Sequence, residues 1–185
     1  IDVGTQGARV ILVDQNGEVI SSGARKFSFS ESFREEQSPE IWWNDCVQII
    51  DEILKNLDEN IDRNAIQAVS VTSTSGTVIP LDKENNPLHN AIMYSDPRSA
   101  DQGNRIKEIA QRVNPDSYTG FNASSGISKM LWYIETYPEQ AEYIATWVHA
   151  SDYITGKLSG NFGVTDYTNV LKSAYDLEKL EWPNF

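Results

Sequence analysis

The chain has 185 residues, 39% hydrophobic and 10% aromatic, enough for one sizeable domain with a packed core and room for a fragment of a second. Its 15 Lys and Arg against 27 Asp and Glu leave a formal net charge of −12, which argues against a general nucleic-acid or anionic-membrane binder, because neutralising phosphates takes clustered cations. One small phosphorylated ligand stays open, since backbone N–H groups bind phosphate without net positive charge.

A first strand ends at Asp2, with most of it expected before Ile1, and Gly4-Thr5-Gln6-Gly7 follows as turn chemistry. Residues 10–14 form a short apolar strand, closed by Asp14-Gln15-Asn16-Gly17, whose Asn-Gly is a strong hairpin signal. Residues 18–29 alternate loosely and read as the returning strand. The stretch 31–36 reads as a solvated loop. Ser38 is placed to cap a helix whose first position is Pro39. Ile41, Trp42, Val47, Ile49, Ile50, Ile53, Leu54 and Leu57 then keep helical spacing.

Residues 66–72 read as a buried-type strand entering a Ser/Thr/Gly stretch. Segments 77–81 and 87–93 flank 82–86 as a second hairpin. Helices are predicted over 98–113, 128–136, 138–147 and 150–158, the last ending at Gly160. Cys46 is the sole cysteine, so no internal disulfide forms and a reducing cytoplasm is the expectation. No stretch approaches the ~20 apolar residues of a membrane span. Three meandering strands, a helix, a strand and further helices make a mixed α/β domain. That order suits the ribonuclease-H-like ATPase architecture better than a Rossmann domain, which alternates strand and helix from its start.

In that setting the opening turn acquires a chemistry. Gly4 and Gly7 permit close backbone approach, successive N–H groups can form an anion nest, and the Thr5 hydroxyl adds a donor. Asp2 could hold Mg²⁺ through water, and Arg9 could neutralise a transferring phosphoryl group. A plain hairpin with a surface Arg is the alternative. Elsewhere the readings are structural. His89 and His149 lack partners at metal-ligand spacing, and Trp42, Trp43, Trp132 and Trp147 sit at helical positions as core. Asp96 and Asp101 flank Arg98 as in a surface ion pair, and Asp152 caps the helix at Tyr153.

A run of motifs in order along the chain resembles the FGGY carbohydrate kinases. Asp2-Val3-Gly4-Thr5 with Arg9 is similar to the family's phosphate turn, and Glu36-Gln37, Pro39 and Trp42 to its E-Q-x-P-x-x-W. Pro87-Leu88 and the run from Ala91 to Arg98 resemble "P-L, A-I-x-W-x-D-x-R", with Tyr94 where Trp is usual. Lys129 to Trp132 resembles K-x-x-W, Ser151-Asp152-Tyr153-Ile154 with Leu158-Ser159-Gly160 the D-Y-x-x-x-x-L-T-G segment, and Thr165 to Asn169 T-D-x-T-N.

The resemblance implies a ribonuclease-H-like domain of the actin, sugar-kinase and heat-shock ATPase superfamily, with a mixed sheet flanked by helices. It implies that residues 1–185 are the N-terminal, sugar-binding half of a two-domain kinase, cut at both ends, with the nucleotide-binding half absent. ATP phosphates would meet Thr5, Gln6, Gly7 and Arg9, and magnesium Asp2. Ser75 and Gly76 occupy positions that contact substrate, Asp96 and Arg98 belong to a loop beside it, and Asp166 to the base of the cleft. The expected partners are a sugar or polyol and ATP, with no nucleic acid and no membrane, and a homodimer left open. Glycerol kinases carry Arg-Glu and xylulose kinases Met-His where this chain has Ser75-Gly76. The general base is expected beyond residue 185, so this chain alone should not turn over. Rival readings are a non-catalytic, nucleotide-dependent regulatory protein of the same superfamily and a stand-alone sugar-binding module.

Overall fold

The opening turns build the sheet. In the computed structural model, which describes residues 1–28, 33–113, 115 and 119–184, β1 (Asp2–Gly4) turns through Thr5-Gln6 into β2 (Gly7–Val13). The Asp14 carboxylate then accepts from the Asn16 and Glu18 amides at 2.8 and 2.9 Å. That turn returns the chain as β3 (Val19–Lys26). A parallel strand, β5 (Thr72–Ser73), lies on the other side of β1, with Asp2 opposite Thr72. The result is a mixed four-stranded sheet of order β3-β2-β1-β5.

Helix α1 (Pro39–Lys55) covers this sheet. Its buried residues Trp42, Cys46, Ile49 and Ile53 fall at spacings of four, three and four, a single helical stripe. Each such large apolar side chain stabilises the fold by ~1.5–3 kcal/mol when buried. They meet Val3, Ala8 and Val10 from the sheet and Tyr153 and Ile154 from α5 (Ala150–Ser159) in one core. Ser38 stands at the N-cap, as its sequence position suggests, but its side chain makes no capping bond.

Two short ladders extend the scaffold. β4 (Glu36–Gln37) pairs with β7 (Ala91–Ile92), and β6 (Ile79–Leu81) with β8 (Thr146–Val148). The second hairpin is present, joined by the Val78–Ile92 and Leu81–Pro87 bridges. Helices α2 (Ala100–Val113) and α3 (Gly126–Thr136) pack together, α4 (Pro138–Ala141) is one turn, and α6 (Tyr167–Lys172) lies against α3. Among the described residues no helix is long and apolar enough to cross a membrane.

Three expectations change. The helix predicted over 138–147 stops at Ala141, and Trp147 lies on β8, because Thr146, Trp147 and Val148 find a strand partner in β6. Of the strand predicted over 66–72 only its end pairs: the Ile1 ammonium donates to the Ser70 carbonyl and the Thr72 amide to that of Ile1. The ladder stops there, and Ile66 and Val69 stand exposed. Residues 167–172, left without an element by the sequence reading, form α6. The final residue of the predicted strand 18–29 and residues 31 and 32 of the predicted loop lie outside the described residues.

Candidate functional site

The turn between β1 and β2 is held from three sides. Gly4 stands opposite Gly7 in the ladder, and a Cβ on Gly7 would come within 2.2 Å of the Arg25 carbonyl oxygen, so only glycine lets β3 approach this closely. The Gln6 carbonyl accepts from the Phe27 amide at 3.1 Å. Gln37 Nε2 donates to the Thr5 and Phe33 carbonyls, both at 3.0 Å, while its Oε1 accepts from the Trp42 indole at 2.9 Å. The Glu-Gln-x-Pro-x-x-Trp segment is therefore a brace from α1 to the turn. Beside it, Arg9 Nη1 donates to Asp2 Oδ2 at 2.9 Å, with both side chains well exposed.

Among the described residues no group of three or more His, Cys, Asp or Glu side chains is placed to hold a metal ion. Asp2 is a single exposed carboxylate at the mouth of the turn. That donor set fits magnesium, which keeps several waters and binds through one or two carboxylates plus substrate phosphates.

Because β1 and β5 run parallel, the Thr5-Gln6 turn and the Ser75-Gly76 turn leave the sheet at the same edge. Carboxyl ends of parallel strands are where open α/β sheets bind ligands. Gly76 has a left-handed φ of 83°, and a Cβ there would lie 2.4 Å from the Ser124 carbonyl oxygen and 3.7 Å from Tyr94 Cβ. Thr77 Oγ1 accepts from the Tyr94 amide at 3.1 Å. Three separate segments, at 75–77, 94 and 124, thus meet beside the hairpin.

Asp96 and Arg98 are not the surface pair that their spacing suggests. Asp96 is 1% exposed. Arg98 Nε and Nη2 grip its carboxylate at 2.7–3.0 Å, and the Arg98 amide donates to Oδ1 at 2.9 Å. Nη2 also reaches Glu36 at 2.8 Å, and the guanidinium lies 4.4 Å from the centre of the Trp132 ring. Glu36 is accordingly a half-buried residue of β4 rather than part of a solvated loop. Lys129, fully buried one helical turn before Trp132, has its pKa pulled down to about 8 by burial, against the opposing charge of Asp96. Trp132 of the Lys-x-x-Trp motif therefore stacks against the Asp96–Arg98 turn, and Lys129 lies within the field of Asp96. The i, i+3 spacing was visible in the sequence; its target was not.

Asp166 caps α6: Oδ1 accepts from the Asn169 amide at 3.0 Å and Oδ2 from Asn169 Nδ2 at 2.6 Å. Asn169 Nδ2 continues to Ser151 Oγ at 3.0 Å. Asp152 accepts from the His149 amide at 2.9 Å and so caps α5 from inside its first turn. His149 Nδ1 contacts the Thr77 carbonyl at 2.9 Å. A carbonyl only accepts, so Nδ1 carries the proton and Nε2 accepts from Ser173 Oγ at 3.1 Å. Burial holds the His149 pKa down and raises that of Asp152. An open cavity of about 450 Å³ adjoins this network, walled by Ile127, Met130, Trp147 and Trp182. None of the predicted site residues lines it. Cys46 is buried and its pKa is pushed up to about 11, which leaves no reactive thiolate.

Residues 1–184 match the N-terminal domain of the FGGY family of carbohydrate kinases. A xylulose kinase of Bacillus subtilis is 25% identical over 195 residues, with 100% of this chain and 37% of that protein covered. A glycerol kinase 2 of Sulfolobus acidocaldarius is 31% identical over 198 residues, with 98% and 38% covered. The crystal structure of Plasmodium falciparum glycerol kinase with ADP superposes with a TM-score of 0.80 at 22% identity, covering 99% of this chain and 38% of that one. The chain thus spans less than two-fifths of the length of these relatives. With a match from the first residue to the last but one, over the mixed sheet and helices described above, the chain belongs to the FGGY family of carbohydrate kinases, as its N-terminal domain.

Proposed function

We propose that this domain is the sugar- and phosphate-binding half of an ATP-dependent kinase that phosphorylates a sugar or polyol hydroxyl. The observation that carries the reading is the parallel register of β1 and β5, which brings the Asp2–Arg9 hairpin and the Ser75-Gly76 turn to one edge of the sheet. A phosphate donor and a hydroxyl acceptor have to meet at such an edge for in-line transfer. Family membership supports the same chemistry.

Within this reading Thr5, Gln6 and Gly7 hold the phosphates through the turn, and Arg9 offsets their charge. Asp2 would hold magnesium, which when bound neutralises charge on the phosphates. Ser75 and Gly76 face the sugar, with Tyr94 and Ser124 closing the same wall. The Ser124 carbonyl stands where a side chain at position 76 would go, so backbone fills that part of the wall. Asp96 and Arg98 hold the adjoining turn, and Asp166 the start of α6. The general base that takes the proton from the hydroxyl belongs to the remainder of the kinase, as does the adenine pocket. Closure of the two halves would exclude water and limit hydrolysis of ATP. We place the protein in the cytoplasm.

ADP release by the full-length gene product, measured over pentuloses, hexuloses, pentitols and glycerol, tests this. Strong release with one sugar, lost in Asp2→Asn, is the expected result. A folded, ATP-binding protein that releases no ADP with any sugar would overturn the kinase assignment.

A further inference from the structure

Lys129 is 0% exposed. Burying a cation is costly unless it is paired or hydrogen-bonded, and α3 would form equally well with an apolar side chain here. The ammonium donates to the Ala123 carbonyl. Ser99, 1% exposed and just before α2, donates its hydroxyl to the same oxygen at 3.2 Å. Two buried donors from two different helical segments thus converge on a single carbonyl of the loop before α3.

That loop behaves as one piece. Asn122 Oδ1 accepts from the Ser124 amide at 2.8 Å and from Ser124 Oγ at 2.7 Å, while Ser125 Oγ accepts from the Asn122 amide at 3.2 Å. Ser124, next to the clamped carbonyl, presses its own carbonyl onto Gly76, where a Cβ would be 2.4 Å away. A shift at Ala123 is therefore passed directly to the Ser75-Gly76 turn. The charged groups acting on Lys129 are Asp96, attractive, and Lys172 from the end of α6, repulsive. Asp96 is gripped by Arg98, and among the described residues the hydrogen bond that holds the ammonium is the one to Ala123.

We infer that Lys129, together with Ser99, is a positioning residue that holds the 122–125 loop against the Ser75-Gly76 turn and thereby sets the width of the sugar site. The positioning stands on the contacts alone; the sugar site rests on the function proposed above.

Two readouts on the full-length gene product separate these. Amide hydrogen exchange needs no turnover. Lys129→Met is expected to speed exchange in residues 120–126 and 74–78 by about tenfold or more, and Ser99→Ala by about threefold, with α1 unchanged. Steady-state kinetics with the sugar that the wild type accepts should show its KM raised about tenfold, while kcat and the KM for ATP stay within about threefold. Unchanged exchange in both variants overturns the inference. Faster loop exchange with an unchanged sugar KM, or with sugar and ATP affected alike, overturns the role in the sugar site. If the wild type releases no ADP with any sugar, the kinase assignment falls and the exchange result alone decides the positioning. Should Lys129→Met fail to fold, Ser99→Ala carries both readouts, and its lack of effect on exchange overturns the clamp.

Discussion

Two Asp–Arg pairs in this chain have nearly equal contact lengths and opposite settings. Asp2 and Arg9 meet at 2.9 Å with side chains 42% and 64% exposed. Asp96 and Arg98 meet at 2.7 Å with side chains 1% and 31% exposed. In water the first pair is screened and contributes ~0–1 kcal/mol, so a phosphate or a hydrated cation can replace either partner at little cost. In the second pair Asp96 has given up its water and Arg98 most of its own. This desolvation, several kcal/mol per ion in general, is offset by Glu36, by the Arg98 amide and by the Trp132 ring, and none of these can leave without stranding a charge. The same two residue types thus stay open to a ligand where they are wet and form a strut where they are dry.

Breaking the dry pair should have the largest effect. Asp96→Asn leaves Arg98 and Lys129 without their shared counter-charge, and a loss of about 3–5 kcal/mol is expected in urea unfolding. A loss under about 1 kcal/mol would mean that the pair behaves like the exposed one, and the contrast would vanish. A pH series sharpens the same point through Lys129. Its folded pKa of about 8 lies below the unfolded value of 10.5. Between those values the unfolded chain binds more protons, so this group makes stability rise with pH, and the cost present at pH 7 is relieved as pH climbs through 8 towards 10.5. Wild type should gain on the order of 2–3 kcal/mol relative to Lys129→Met between pH 7 and 10. A flat difference between the two proteins would show that Lys129 is solvated.

The hairpin that carries the wet pair was legible in the sequence, the Asp2–Arg9 contact itself was not read from it, and the dry pair was only half legible. Asp2, the turn residues and Arg9 lie within eight positions, so strand alternation and turn chemistry place them in one hairpin without knowledge of the rest of the fold. The α1 stripe was legible for the same local reason. Asp96-x-Arg98 is local too, but its burial comes from Glu36, 62 residues before Arg98, and from Lys129 and Trp132 more than thirty residues after Asp96. Spacing carries no information about such distant partners. The strand at Trp147 was missed because its partner β6 lies over sixty residues earlier, and the unpaired run 66–69 because a strand pattern does not say whether a neighbour exists. Asp166 announced a helix cap only once Asn169 was seen to complete it.

A smaller effect tests how the wet pair is held. Gln37→Met removes the amide that joins the Trp42 indole to the Thr5 carbonyl and leaves that indole N–H unpaired. About 1–2 kcal/mol of stability should be lost, with faster amide exchange in the β1–β2 turn. Loss of stability without a change at the turn would show that Gln37 serves α1 alone.

The smallest change in stability should come from Asp2→Asn, and it divides the two pairs most cleanly. Only one exposed ion pair is removed, so urea unfolding should shift by under ~1 kcal/mol, and added salt should shrink even that, because exposed charges are screened. ADP release by the full-length gene product should nevertheless fall about a hundredfold or more, since a carboxylate that positions a phosphate-bound metal acts on the transition state and not on the fold. A stability loss as large as that of Asp96→Asn would make Asp2 a second strut. Unchanged turnover would remove the ligand from the hairpin and leave the exposed pair with no work beyond joining two strands. Small in stability and large in turnover is the combination that only an exposed, replaceable ion pair produces, and a buried pair cannot imitate it, because any change that reaches its ligand has first to pass through its fold.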